Sequence, residues 1–199
     1  MIFIGLDLAW STGPSGYCKV ARGKLQEWGL LKPEELPAWI EKLRCPSLLL
    51  IDAPLRIPEE RMRKVDLLLR RLYKVGVLPA TRKLYPEYLP ARVVALLEKR
   101  GFVEFLPSHV SSQGCYFAES FPTLACRILF GEKPLSLNHY RSLLAGLLKG
   151  AENLPLRPLS SMRHVYDACL LAWLAEEIFY SKFTLVEAED GRIYLPVSQ

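Results

Sequence analysis

The chain has 199 residues, 50% of them hydrophobic and 24% charged, with a formal net charge of +5, which is the length and composition of one globular domain with ample core material. No run approaches the ~18 apolar residues of a membrane span, and Asp7 interrupts the opening apolar run with no basic stretch before it, so no secretory signal is expected. The expectation is one cytoplasmic domain over 1–199 that does not engage a membrane.

Ile2 to Leu8 is a short, nearly continuous apolar run and predicts a buried central strand. Ser11 to Gly16 reads as a loop. Tyr17 to Ala21 and Leu25 to Leu31 read as two strands joined by a tight turn at Arg22-Gly23, so the first three strands form an antiparallel meander. Pro33 opens a helix to about Leu43, with Leu36, Trp39, Ile40 and Leu43 facing inward. Ser47 to Ile51 is a second buried strand, ended by Asp52-Ala53-Pro54. Met62, Val65, Leu68, Leu69 and Leu72 recur at helical spacing and predict a helix from Glu59 to Lys74.

Gly76 to Pro90 is proline-broken loop, and Arg92 to Arg100 is a helix stopped by Gly101. Tyr116 to Phe121 reads as a strand, followed by helices over Pro122 to Phe130 and Ser136 to Leu148. Ser160 or Ser161 caps a long helix to about Tyr180, and Phe183 to Val197 is a hairpin around Asp190-Gly191, a type I′ signal. This order predicts a mixed sheet with helices on its faces. Cys18, Cys45, Cys115, Cys126 and Cys169 are odd in number with no C-x-x-C pair, which argues against a disulfide framework and a zinc site.

Charge is unevenly spread. Arg56 to Arg100 holds twelve Lys/Arg against five Asp/Glu, a local balance of +7 that leaves −2 for the rest. A solvated helix face and a phosphate-tracking surface both fit such a block. In the second case Arg61, Arg63, Lys64, Arg82 and Lys83 would contact phosphates, with Tyr73, Tyr85 and Tyr88 interleaved for stacking.

Four acids stand out. Asp7 lies in an apolar strand, Asp52 ends a second one, and Glu119 sits at the end of a third. Asp167 lies inside the last helix, with Leu170, Leu171 and Leu174 continuing its face toward the core. Each alone has a structural use: a turn for Asp52, loop amides for Asp7, Arg127 or Arg163 for Glu119, and Arg163 at i−4 for Asp167. Converging at one edge of a sheet they would repel one another, and a bound cation would relieve that. All-oxygen donors point to Mg²⁺ or Mn²⁺. His164 is a lesser candidate, for proton transfer.

Asp7 in GLDLAW, Asp52 in LLIDAPL, Glu119 in ESFP and Asp167 in YDACLLAWLA occur in an order that resembles the RNase H-like superfamily. More narrowly, the chain resembles domain-of-unknown-function family 429, a predicted-nuclease family with a GxD start, an IDxP segment, an Arg–Asp helix start (here Arg63 and Asp66), an ExxP segment and a final DA helix. The resemblance implies an RNase H-like fold, read here as a mixed five-stranded sheet with helices on both faces and a C-terminal hairpin; the basic helical insertion over 56–115 after the fourth strand departs from the minimal fold. The resemblance also implies a metal-dependent nuclease. Asp7, Asp52, Glu119 and Asp167 would be catalytic, with Asp7, Asp52 and Asp167 holding metal. Arg63, Arg82, Lys83 and Arg163 would bind the nucleic acid.

Two other readings keep the fold: a non-catalytic nucleic-acid-binding scaffold, and a nucleotide-binding phosphotransferase of a related fold. The second lacks a Walker A motif and the length for two lobes.

Overall fold

Alternation of buried side chains decides how the strands are used. In the computed structural model, which describes residues 1–9, 13–77, 79–85, 89–132, 134–156 and 162–197, β1 (Ile2–Asp7), β2 (Ser15–Ala21) and β3 (Lys24–Leu31) form the expected meander. The turn between β2 and β3 carries Arg22 and Gly23 at positive φ, the left-handed geometry that suits the hand of a tight hairpin. Helix α1 (Leu36–Glu41) follows, and then β4 (Ser47–Asp52). β4 runs parallel to β1, with Asp7 beside Asp52 in register.

The stretch after β4 contains α2 (Lys64–Tyr73), α3 (Leu89–Lys99) and a two-residue strand, β5 (Val103–Glu104). β6 (Cys115–Ser120) leads into α4 (Pro122–Phe130), α5 (Leu137–Ala145) and α6 (Met162–Phe179). β7 (Thr184–Ala188) and β8 (Gly191–Leu195) form the closing hairpin. Tyr88, the first residues of the loop after β1, and the cap expected at Ser160 or Ser161 lie outside the described residues.

The sheet runs β3-β2-β1-β4-β6-β8-β7, with β5 also on β6. The meander is antiparallel, while β1, β4 and β6 run parallel. This is the arrangement that the sequence resemblance leads one to expect: a meander continued by parallel strands on the other edge of β1. The sheet has eight strands rather than five. β5 and β8 share the far edge of β6 end to end, and the hairpin enters the sheet through β8. Apolar periodicity identifies strands without naming their partners, so the sequence leaves this joining open.

Each face has its own core. On one, Phe3, Cys18, Leu48, Leu50 and Ala118 pack against α6 and its neighbours. On the other, Ile4, Leu6, Leu49, Ile51 and Phe117 pack with residues of α1 and α3. Within the helical stretch after β4, α3 contributes Val93, Val94 and Leu97 to the second core.

Two glycines set the distance between α6 and the sheet. A Cβ on Gly5 would run into the carbonyl oxygen of Ala168, and one on Gly16 into that of His164. The helix backbone therefore lies directly on β1 and β2, where a larger residue would hold it away.

Three local expectations are revised. Helix α2 begins at Lys64 rather than Glu59, because Arg63 is extended and its side chain turns inward. The hairpin loop is Glu189-Asp190, between the registered pair Ala188 and Gly191, and neither Asp190 nor Gly191 is among the positive-φ residues. Asp190 instead accepts hydrogen bonds from the backbone N–H groups of Lys64 and Val65, the latter at 3.1 Å, so the hairpin tip caps α2. Finally, Cys45 and Cys115 form a disulfide. They are 70 residues apart in sequence but their Cα atoms lie 5.3 Å apart, because the parallel pairing of β4 and β6 starts with Ser47 beside Cys115.

Candidate active site

Side chains along β1 alternate between the two cores, so Asp7 continues the row of Phe3 and Gly5 beneath α6. Asp52 continues the row of Leu48 and Leu50 on the neighbouring strand. The two aspartates end adjacent parallel strands, where the chain leaves the sheet and ligand sites of α/β folds gather. Asp7 is 5% exposed. Its carboxylate oxygen Oδ2 lies 3.0 Å from Nδ1 of His164, in the first turn of α6.

Asp167 approaches the same end of the sheet from α6. The hydroxyl of Tyr140, on α5, donates to its Oδ1 at 2.8 Å. Nε of Arg163 lies 3.6 Å from its Oδ2, and the Arg163 guanidinium sits 5.5 Å from the centre of the Tyr140 ring. Arg163 also donates to the carbonyl oxygen of Pro134. Tyr140 is fully buried and accepts from the thiol of Cys126 at 3.3 Å. A chain of polar groups thus reaches Asp167 from inside the core and fixes its carboxylate.

The electrostatics couple these acids. Burial raises the pKa of Asp167, the negative charge of Asp7 raises it further, and the carboxyl is held at about 6. Burial likewise raises Asp7, against the opposing hydrogen bond and charge of His164. His164 is raised in turn, chiefly by its bond to Asp7. Two acids that each disfavour the ionised form, one of them lifted by the charge of the other, are only partly neutralised by the cations around them.

The donor set suits a hard divalent cation: carboxylate oxygens supplied by two strand ends and one helix. Among the described residues, no three His, Cys, Asp or Glu side chains form a ready-made metal cluster.

Glu119 is placed differently. It follows Phe117 in the alternation of β6 and so belongs to the opposite row from Asp7 and Asp52. Its Oε1 accepts from Nη2 of Arg63 at 2.6 Å, and its Oε2 from Nη1 of Arg63 at 2.7 Å and from the backbone of Leu55 at 3.0 Å. Arg63 is 1% exposed and also donates from Nε and Nη2 to both oxygens of Asp66. Burial would lower the Arg63 pKa, but Glu119 and Asp66 overcome it and hold the guanidinium charged. Burial raises Glu119, against the pull of Arg63.

Arg63 is therefore engaged by two buried carboxylates and does not face a phosphate surface. The Arg–Asp helix start and the ExxP segment noted in the sequence come together as one ion cluster, which ties α2 to β6. Neither Arg127 nor Arg163 is the partner of Glu119.

Arg82 and Lys83 are exposed and follow Thr81 in a turn whose backbone bonds to Pro58 and Glu59. Lys83 has Glu60 at 3.8 Å. Arg70, Arg71 and Lys74 add exposed positive charge along and just beyond α2. The side chain of Arg163 is 32% exposed beside Asp167.

No family model matches the chain, and no curated protein does. Among solved structures, T. thermophilus RuvC in complex with a Holliday junction substrate is similar, with 17% identity over 91% of this chain and 94% of that one and a TM-score of 0.45. No helix among the described residues is long and apolar enough to cross a membrane.

Proposed function

We propose that this chain is a metal-dependent nuclease that hydrolyses nucleic-acid phosphodiester bonds at the ends of β1 and β4. The observation that carries the reading is that Asp7 and Asp52 lie side by side at the ends of adjacent parallel strands, with His164 of α6 bonded to Asp7 and Asp167 following on the same helix. Buried acids held together without full neutralisation destabilise the fold, and a cation-dependent activity is a reason for a protein to keep them.

Asp7, Asp52 and Asp167 would hold Mg²⁺ or Mn²⁺, with Asp7 central. Such an ion, when bound, supplies Lewis acidity and a nucleophilic hydroxide at neutral pH. Tyr140 orients the Asp167 carboxylate through its hydroxyl, so the helix-borne acid presents a fixed face. His164, bonded to Asp7 and half-exposed, is placed to carry a proton between the reacting phosphate and solvent. Arg163 offers positive charge next to Asp167 for a phosphate oxygen.

The exposed positive charge of Arg82, Lys83 and the outer face of α2 would track the backbone of the nucleic acid. Glu119 contributes at one remove, because its carboxylate is committed to Arg63 and keeps α2 on the sheet.

The experiment is cleavage of labelled single- and double-stranded DNA and RNA in Mn²⁺, Mg²⁺ or EDTA, by the wild type and by Asp52→Asn. Metal-dependent cleavage of at least one substrate is expected, with the variant slower by on the order of 10²–10³-fold. An intact substrate in every condition, with no rise in melting temperature in millimolar Mn²⁺, would leave a nucleic-acid-binding scaffold as the better account.

A further inference from the structure

We propose that the cavity beside Asp52 receives an unstacked nucleobase of the strand being cut. This deepens the nuclease reading and rests on it for the identity of the strand. The cavity measures about 360 Å³ and lies between the ends of β4 and β6, α2 and the start of α4, a size within the usual range of small-ligand pockets. Much of its lining is apolar, from Ala53, Pro54, Leu69, Val77 and Ile193, with Phe121 as an aromatic wall. Asp52 stands at its rim, so an occupant of the cavity would be one nucleotide's reach from the phosphate at the proposed metal site.

The polar groups in the wall select the chemistry of the occupant. Asp66 and Glu119 line the cavity with Arg63 as the cation they share. Two carboxylates against one guanidinium repel a phosphate, so this is no anion pocket. Ionised carboxylates only accept hydrogen bonds, and Arg63 grips both oxygens of Asp66 and both of Glu119. The acceptors therefore keep a fixed direction while retaining lone pairs for a further donor. A flat ring with amino and ring N–H donors on its edge, and an apolar face for Phe121, meets these conditions. A nucleobase is such a ring. A base already unstacked in single-stranded or distorted nucleic acid would enter at least cost.

The test uses the full chain and begins without nuclease chemistry. Adenosine, guanosine, cytidine and thymidine are titrated in EDTA, followed by calorimetry or NMR. At least one should bind with a Kd on the order of 1 mM. Two variants block the cavity from different elements: Gly76→Trp, where an added Cβ meets nothing within 4 Å, and Thr123→Leu on α4. Each should weaken nucleoside binding by about tenfold or more.

On an oligonucleotide that the wild type cleaves, an abasic site at one position next to the scissile bond should lower kcat/KM by about tenfold, and Gly76→Trp should abolish that sensitivity. Nucleosides that fail to bind, or that bind both folded variants as well as the wild type, overturn the pocket. Cleavage indifferent to abasic sites at every flanking position also overturns it, while the nuclease reading stands. Nucleoside binding blocked by both variants in a protein that cleaves nothing supports the pocket and removes the nuclease.

Discussion

Replacing Asp167 by Asn is the perturbation whose effect can be worked out furthest. The folded protein holds this carboxyl at about 6, against 3.8 for an ordinary Asp. Each pKa unit corresponds to 1.36 kcal/mol, so keeping Asp167 ionised at neutral pH costs the fold about 3 kcal/mol. Its side chain is 13% exposed, so solvent relieves little of this.

The sign follows from the direction of the shift. A raised carboxyl stabilises the fold in its protonated form, fully below about 3.8, and that contribution disappears as the pH rises through about 6. Asn is uncharged throughout. Its amide oxygen can still accept from Tyr140, although the weaker acceptor and the absence of attraction to Arg163 together cost on the order of 1 kcal/mol. Asp167→Asn in EDTA should therefore be more stable than the wild type by about 1–2 kcal/mol at pH 7.5, or roughly 2–8 °C in melting temperature for a chain of this size. At pH 4.5 the gain should vanish or reverse. The same substitution should reduce the stabilisation that Mn²⁺ gives. Urea and thermal unfolding at the two pH values, with and without Mn²⁺, provide the measurement. A variant less stable at both pH values, with an unchanged response to Mn²⁺, would show that Asp167 is a structural acid paired with Arg163.

Arg63→Met removes the cation that two buried carboxylates share and should cost about 3–5 kcal/mol at pH 7.5 in urea unfolding, with the loss shrinking as Glu119, raised by burial, is protonated on acidification. Gly16→Ala should force α6 away from β2, costing about 1–3 kcal/mol in chemical denaturation and weakening Mn²⁺ stabilisation. Unchanged metal stabilisation would mean that the close approach of α6 does not set the site. Replacing Arg82 and Lys83 together by Ala should weaken oligonucleotide binding and lower the slope of log K against log salt by about one for each phosphate no longer neutralised. An unchanged slope would assign the pair to solubility.

The parts of the fold legible in the sequence are those that local pattern determines. The apolar runs of β1 and β4 and the Arg22-Gly23 turn announce themselves within a few residues. Partners are a different matter: the edge of β6 taken by β8 and the closeness of Cys45 to Cys115 follow from sheet order. The apolar period through Met62 also extends the α2 prediction a turn too far, because it says nothing of Arg63 turning inward to Glu119, 56 residues away.

In the site, Asp7 and Asp52 are legible because an acid at the end of an apolar strand is costly without a purpose. Asp167 is legible because leucines continue its face. Tyr140 is not, since a tyrosine on an amphipathic helix reads as core until its hydroxyl is seen to meet a carboxylate. His164 reads as a lesser candidate because its partner, Asp7, lies 157 residues away. Glu119 shows the limit of reading acids by strand position alone: it lies one residue from the end of β6, but the alternation along that strand directs its carboxylate to Arg63.

The most direct measurement is a crystal structure soaked in Mn²⁺, with anomalous scattering recorded at the manganese edge. The account predicts at least one anomalous peak within about 2.0–2.5 Å of a carboxylate oxygen of Asp7 and of Asp52 or Asp167, and none at Glu119 while Arg63 holds it. A fully soaked crystal with no peak among Asp7, Asp52 and Asp167 would contradict the account.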